Sequence, residues 1–174
     1  MSARGGLRGP AALKLGLVFT AACAGRVPPL VQAAAVERMQ CDSPAAAGDD
    51  SRVLENTAVL EAGPAYSKVL TGKNGTEDRV TGAEIIVRPP AGVSPEQLTR
   101  TLQCHSARVL LGHADQRRFA DDPYWLPDTW LDIQVKSDNG NYAVVLAAGN
   151  VPDGLQVLHR ATAFAEARRT GVEP

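Results

Sequence analysis

Residues 131–147 of the chain read LDIQVKSDNGNYAVVLA, and this stretch decides the fold. Apolar and polar side chains alternate on both sides of its centre, which is the pattern of two strands that each bury one face. Between them lies Asn139-Gly140, the preferred pair for a two-residue type I′ turn. With that turn, the expected cross-strand pairs are Asp138–Asn141, Val135–Val144 and Ile133–Leu146. Both apolar sets then fall on one face, so the stretch predicts a half-buried antiparallel hairpin.

A strand and a helix are predicted directly before this hairpin. Residues 82–88 alternate apolar and polar side chains and stop at a pair of prolines, which is the pattern of a strand. Ser94 is a good N-cap for the helix that follows, and Gln97, three residues later, completes a capping box. These signals predict a helix from Pro95 to Leu111, with Gly112 as its C-terminal stop.

A second helix is predicted after the hairpin, over residues 152–169. Asn150 can cap it, and its apolar positions recur at the spacing of a stripe that packs on a sheet. The stripe consists of Val157, Leu158, Ala161, Phe164 and Ala165. The order strand, helix, strand, strand, helix predicts an α+β fold: a two-layer sandwich whose small antiparallel or mixed sheet carries both helices on one face.

The sequence patterns in the rest of the domain predict its structure less clearly. Short apolar patterns within 52–60 and 67–70 suit either a strand or a short helix, and 73–78 is predicted to form a turn-forming loop. Residues 120–129 are acidic and contain proline, so we expect an irregular loop there. The length of the chain allows a single domain, predicted over 52–174, of which 82–169 is the best-defined part.

The first 33 residues have the pattern of an export signal. Basic residues without any acidic one precede an apolar stretch from Leu15 to Ala24, which is too short to span a bilayer. Small residues follow, and Val31 and Ala33 suit the −3 and −1 positions of a signal peptidase site. Residues 34–51 are rich in Ala, Asp and Gly, so a flexible mature N-terminus is expected. The mature protein is predicted to work in the periplasm or outside the cell.

The chain has three cysteines, Cys23, Cys41 and Cys104. Cleavage after Ala33 would remove Cys23 and leave two, for which a Cys41–Cys104 disulfide is the default in an oxidising compartment. An alternative is that Cys23 is lipidated, because Ala21-Ala22-Cys23 resembles a bacterial lipoprotein box. That route would place the protein on the outer membrane, and it is the one circumstance in which a membrane partner is expected.

The charge balance argues against nucleic acid as a partner. The chain carries 18 basic and 19 acidic residues, a formal net charge of −1, and neither sign is gathered into a block. Such a balance offers no electrostatic reason to bind nucleic acid or an anionic membrane. No cofactor-binding fingerprint occurs, so no cofactor is expected.

Three residues near the end of the first helix could bind a metal. Cys104, His105 and His113 carry the thiolate and imidazole groups that zinc and copper prefer. Against this, adjacent helical residues diverge by about 100°, and no CxxC, HxxxH or HExxH spacing occurs. His105 lies on the apolar stripe of the helix, where a histidine is more often a core residue bonded to backbone or to a carboxylate. A disulfide at Cys104 would also exclude that sulfur as a ligand.

An aromatic group within the acidic loop offers a different candidate. Tyr124, Trp125 and Trp130 surround Pro127, and they suit either a cover for the end of the core or a small binding patch. Ser106 beside His105 has no GxSxG context, so the sequence predicts no catalytic residue.

The chain resembles a loosely defined group of exported proteins of myxobacteria and their relatives that have no established activity. The resembling segments are Gly82–Arg88, Gly92–Leu98, Leu102–Arg108 and Gly112-His113, within a match over a little more than half the chain. This resemblance implies export from a Gram-negative cell and one α+β domain, and it transfers no catalytic residue.

Two hypotheses of different classes follow. The first is a non-enzymatic binding or structural module of the periplasm or envelope, whose partner is a protein or an envelope component. The second is a periplasmic zinc- or copper-binding protein that uses Cys104, His105 and His113. A hydrolase with an unrecognised site is a third and weaker reading.

Overall fold

A computed structural model of the protein describes residues 27–41, 57–71, 75–116 and 121–170. Its elements, in chain order, are helix α1 (Pro29–Gln40), strands β1 (Val59–Thr71) and β2 (Gly75–Val87), helix α2 (Pro95–Leu110), strands β3 (Asp132–Asp138) and β4 (Asn141–Ala147), and helix α3 (Val151–Thr170). The four strands form one sheet in the order β1-β2-β4-β3, and every neighbouring pair is antiparallel.

The β3–β4 hairpin confirms the register predicted from its turn. Asp138 pairs with Asn141, and the pairs Val135–Val144 and Ile133–Leu146 follow along the ladder. Asn139 and Gly140 both have positive φ, 47° and 83°, as a type I′ turn requires. The turn residues and the alternating side chains specify the same pairing, which is why this element could be predicted in detail.

Strand β2 is longer than predicted. Residues 75–78, expected in a turn-forming loop, instead pair with the end of β1 in a long antiparallel ladder. The prediction was wrong there because the polar side chains of residues 76–79 are exposed on an extended hairpin, where no buried face imposes an apolar alternation. Residues 72–74, which include the Asn-Gly pair of that loop, lie outside the described part of the chain.

Both predicted helices pack on the same face of the sheet, which confirms the two-layer α+β sandwich. The core contains Ile85 of β2, Ile133 of β3 and Leu146 of β4. Leu98 and Leu102 of α2 and Val157, Ala161 and Ala165 of α3 complete this one cluster.

The capping box of Ser94 and Gln97 is present at the start of α2, and Asn150 Oδ1 accepts a hydrogen bond from Asp153 N at the start of α3. The ends of these helices therefore lie where their sequence signals predicted.

Helix α1 was not predicted and forms a further layer behind α2. It crosses the expected cleavage point between Ala33 and Ala34 and takes in residues 34–40 of the segment expected to be flexible. Residues 42–51 of that segment and residues 1–26 of the leader lie outside the described part. Ala33 is fully buried against Ala107 and Leu110 of α2. Ala33 is the only fully buried residue of α1, and the partly buried Val36 packs beside it. Because these two positions do not form an apolar stripe, the helix was not predicted, although proline at N1 and an alanine run both favour a helix.

Helix α2 also covers the outer edge of β3. Gln103 Nε2 donates to the carbonyl oxygen of Ile133 at 3.0 Å, and the backbone N–H of Val135 donates to Thr99 Oγ1 at 3.0 Å. These side chains bond backbone C=O and N–H groups at the edge of β3 that would otherwise be free to pair with another strand. The second half of α2 is therefore enclosed by the sheet, by α1 and by the loop that follows it.

Within the described ranges, none of the helices combines the length and the apolar composition that a bilayer crossing requires.

Candidate functional site

The two best-defined polar features of the fold are a buried histidine–aspartate pair and an acidic cleft. In the first, His105 Nε2 is hydrogen-bonded to Asp122 Oδ2, linking the middle of α2 to the loop before β3. The His105 side chain is 4% exposed and that of Asp122 is 11% exposed. This is the core histidine bonded to a carboxylate that the helical stripe favoured.

Asp122 also organises the residues that follow it. Its other oxygen, Oδ1, accepts a hydrogen bond from the backbone N–H of Tyr124 at 2.8 Å, which holds the turn into the core. The Tyr124 ring is buried edge-on to Phe164 of α3, with centroids 6.0 Å apart. Burial, with a smaller contribution from the Asp122 charge, raises the pKa of the Tyr124 hydroxyl well above its usual value, while Arg168 acts in the opposite direction.

The pair is enclosed, and this limits its chemistry. A histidine–carboxylate pair can serve as a general base, but the base must reach a proton on the substrate. His105 lies among buried residues, and the neighbouring Ser106 is fully buried with a hydroxyl that makes no hydrogen bond to the described residues. The geometry gives the pair a role in holding α2 and the loop together.

The three candidate metal ligands do not converge. Cys104 is joined to Cys41 at disulfide bonding distance, with Cα atoms 5.5 Å apart, so its sulfur is not available as a thiolate ligand. His113 lies at the surface, where its Nδ1 is 2.9 Å from Glu37 Oε1 of α1. Across the described ranges, no three His, Cys, Asp or Glu side chains are grouped so that they could hold a metal ion. The zinc or copper hypothesis therefore gains no support from this geometry.

The cysteine pair is the one expected from the sequence, and it fixes α1. Cys41 is the C-cap of α1 and Cys104 lies in α2, so the bond joins the two helices directly. The His113–Glu37 contact bridges the same two parts of the chain. A helix with one fully buried residue is thus also anchored covalently to α2.

The aromatic group divides between core and surface. Tyr124 and Trp125 are 4% and 5% exposed, and the Arg160 guanidinium of α3 lies 5.4 Å from the centroid of a Trp125 ring. Burial lowers the pKa of Arg160, while the charges of Asp122 and Asp121 oppose that shift. These two aromatic residues are therefore not part of an exposed binding patch, as the sequence had suggested they could be. Their burial against α3 agrees with the other interpretation of the sequence, a cover for the end of the core. Trp130 remains partly exposed.

Trp130 lines a cleft of about 460 Å³ at one end of the sandwich. Three segments that are distant in sequence form its walls: the start of α1, the loop before β3 and the turn from β4 into α3. The lining residues are Val27, Pro29, Gln32, Asp128, Thr129, Trp130, Asp132, Ala147, Ala148, Gly149, Asn150 and Asp153.

The polar wall of the cleft is held by hydrogen bonds between its segments. Asp153 Oδ2 accepts from Asn150 Nδ2 at 2.6 Å and from Thr129 Oγ1 at 3.1 Å, which ties the loop to the start of α3. Asp128 adopts a left-handed conformation with φ of 54°, in a tight turn closed by a bridge between Leu126 and Thr129. Aspartate tolerates this conformation better than most residues do. The loop is thereby placed with Asp128 and Trp130 at the cleft.

The charged side chains that line the cleft are acidic. Asp128, Asp132 and Asp153 line it, and none of the described residues that line it is Lys, Arg or His. Trp130 adds an indole ring, which attracts cations through its face. Carboxylates beside an aromatic face form a surface suited to a positively charged organic group.

Of the residues that line this cleft, the sequence pointed to Trp130 as a candidate binding residue but not to the others. Asp128 and Asp132 flank Trp130 in the linear sequence, which is a weak signal on its own. Gln32 and Asp153 belong to other helices, and only the packing of α1 and α3 brings them to the same place.

No protein-family model, no curated protein and no solved structure matches the chain. The resemblance to exported proteins of myxobacteria therefore stays a prediction, and the function is inferred from the chain's own residues.

Proposed function

We propose that this chain is an exported, non-enzymatic binding module whose cleft takes a positively charged organic group. The observation that carries the proposal is the cleft at Trp130, whose described lining residues include three carboxylates and no basic side chain. The ligand class is an alkylammonium or guanidinium group, carried by a small molecule or by a side chain of an envelope protein.

The enclosure of other polar groups supports binding over catalysis. The His105–Asp122 pair is the arrangement closest to acid–base machinery, and it is shielded from solvent by the core. Across the part of the chain that the structure describes, the cleft is lined by carboxylates and amides but by no histidine, cysteine, lysine or tyrosine. Its residues are suited to holding a cation, through charge and through the indole face.

The cysteine pair supports the exported location. Cys41 and Cys104 lie at bonding distance, and such a bond persists in the periplasm and outside the cell, whereas cytosolic thiols are kept reduced. The leader-like composition of the first 33 residues agrees with that compartment.

The cleft is tested by titration with cadaverine, a diamine, and with 1,5-pentanediol, a neutral molecule of the same length. The two tryptophan indole N–H signals are followed by NMR and assigned with Trp130→Phe. We expect cadaverine to shift the Trp130 signal saturably and to lose affinity as salt rises, while the diol has no such effect.

A matched pair of variants locates the interaction. Asp132→Asn removes a charge from the cleft, and Asp138→Asn removes the same charge from the exposed β3–β4 turn. Asp132→Asn is expected to weaken cadaverine binding several-fold, whereas Asp138→Asn leaves it nearly unchanged. Equal effects of the two variants, or no saturable shift with the unmodified protein, would contradict the proposal.

A further inference from the structure

The structure places the expected cleavage point inside a packed helix. Hydrolysis after Ala33 would cut α1 between its fifth and sixth residues. Ala33 has no exposed surface and contacts Ala107 and Leu110 of α2, so the cut would leave part of the α2 surface uncovered. The residues at the expected −3 to −1 positions, Val31 to Ala33, are helical in the folded chain.

The remainder of α1 would be a poor helix. The carbonyl oxygen of Pro28 accepts hydrogen bonds from the N–H groups of Val31 and Gln32, at 3.0 and 3.1 Å, and these bonds start the helix. A cut after Ala33 removes that start and leaves seven helical residues, Ala34–Gln40. Helices this short are marginal, and a new ammonium group at Ala34 would face the positive end of the helix dipole.

The same cut would remove one wall of the cleft. Val27, Pro29 and Gln32 all lie N-terminal to the expected cleavage point, and all three line the cleft beside Trp130. Cys41, in contrast, would stay bonded to Cys104 and would hold a shortened segment against α2. The buried Ala33, the start of the helix and one wall of the cleft are therefore all formed by residues 27–33.

We propose that the leader ends before α1, by hydrolysis of the Ala24–Gly25 peptide bond, so that the mature protein keeps the whole helix. This inference rests on the proposed export of the chain. The signal peptidase adds one water molecule across that bond, which leaves a carboxylate on Ala24 and an amino group on Gly25. Ala22 and Ala24 then occupy the −3 and −1 positions, after an apolar segment that begins at Leu15.

The cysteines agree with this position. Hydrolysis after Ala24 releases Cys23 with the leader and leaves Cys41 and Cys104, which the structure pairs, without an unpaired thiol. The lipoprotein route would instead retain Cys23 as the acylated first residue. Thr20 stands where a lipoprotein box usually has an aliphatic residue, which favours ordinary hydrolysis.

The experiment is intact-mass analysis of the untagged full chain, expressed in a Gram-negative bacterium and recovered from separated cytoplasmic, periplasmic and membrane fractions. Two variants place a glutamate at a −3 position, where signal peptidase needs a small neutral residue. Ala22→Glu disables the site after Ala24 and also the lipoprotein box. Val31→Glu disables only the site after Ala33, and because Val31 is 56% exposed it leaves the packing of α1 intact.

We expect a periplasmic chain that begins at Gly25, accumulation of full-length precursor for Ala22→Glu, and processing of Val31→Glu identical to that of the unmodified protein. A periplasmic chain that begins at Ala34, which is nine residues shorter, would overturn the inference while leaving export intact. An acylated chain that begins at Cys23 would overturn it as well. Full-length protein confined to the cytoplasm would instead refute export, and with it the proposal on which this inference rests.

Discussion

The imidazole of His105 is hydrogen-bonded to the carboxylate of Asp122, so the centre of α2 is tied to the loop that leads into the sheet. Asp122 in turn receives the N–H of Tyr124, whose ring packs against Phe164 of α3. One buried carboxylate therefore joins α2, the loop and the region of α3. Several measurable properties of the protein depend on this connection and on the disulfide.

Replacement of His105 by alanine is expected to lower the free energy of unfolding by about 1–3 kcal/mol, because it leaves the shielded Asp122 carboxylate without this partner. Urea denaturation of the purified protein measures the change. His159→Ala is the matched control, since His159 is exposed on α3. Equal midpoints for the two variants would show that the buried pair contributes nothing to stability.

Replacement of Cys41 by serine is expected to remove about 4 kcal/mol of stability, the chain-entropy value for a link between residues separated by 63 positions. The loss should be seen only under oxidising conditions. With a reductant present, the unmodified protein and Cys41→Ser should unfold at nearly the same denaturant concentration. A difference that persists after reduction would mean that the serine disturbs the packing of α1 instead.

The protein is expected to lose stability as the pH rises above about 10, the ordinary pKa of tyrosine. The pKa of Tyr124 is raised in the folded state because burial and Asp122 disfavour the phenolate. The fold therefore favours the protonated form, and this contribution is fully present below the unfolded-state pKa and declines as the pH rises past it.

Alkaline unfolding followed by tryptophan fluorescence tests this dependence. Tyr124→Phe should flatten the decline, because it removes the group that must stay protonated. Tyr66→Phe, which changes a tyrosine that is 61% exposed, should not. If both variants decline as steeply as the unmodified protein, Tyr124 is not the group responsible.

Replacement of Gly154 by alanine is expected to destabilise the protein by about 1–3 kcal/mol, the usual cost of overpacking. In an isolated helix the same change would stabilise by about 1 kcal/mol. The sign is reversed here because an added Cβ would lie 2.6 Å from the backbone carbon of Thr81, where α3 crosses β2 closely. Thermal unfolding measures the change, and a raised melting temperature would show that α3 can move away from the sheet.

Much of the central fold was predictable because its signals are local. The Asn139-Gly140 turn and the alternation around it specify a register, and Ser94 with Gln97 specifies where α2 begins. The apolar stripe of α3 identified the side of that helix that packs on the sheet. In each case the residues that carry the information lie within a few positions of the structure they determine.

The candidate site was predictable only in part, since most of its members meet through packing. The sequence left Tyr124, Trp125 and Trp130 open as either a cover for the core or a binding patch. Only the packing of α3 and α1 shows that Tyr124 and Trp125 are buried while Trp130 lines the cleft. The cleft also needs Gln32 from α1, a helix whose composition carries no apolar stripe.

By itself, then, the sequence determined the hairpin register, the ends of α2 and α3, the α+β class and the two cysteines that remain to pair once Cys23 leaves with the leader. Those features are determined by turn residues, helix caps and the spacing of apolar residues, all of which lie close to one another along the chain. Only the tertiary structure decided that α1 lies on α2, that His105 faces Asp122 and that three carboxylates share a cleft with Trp130. These contacts depend on how whole elements pack against one another, because their partners are far apart along the chain.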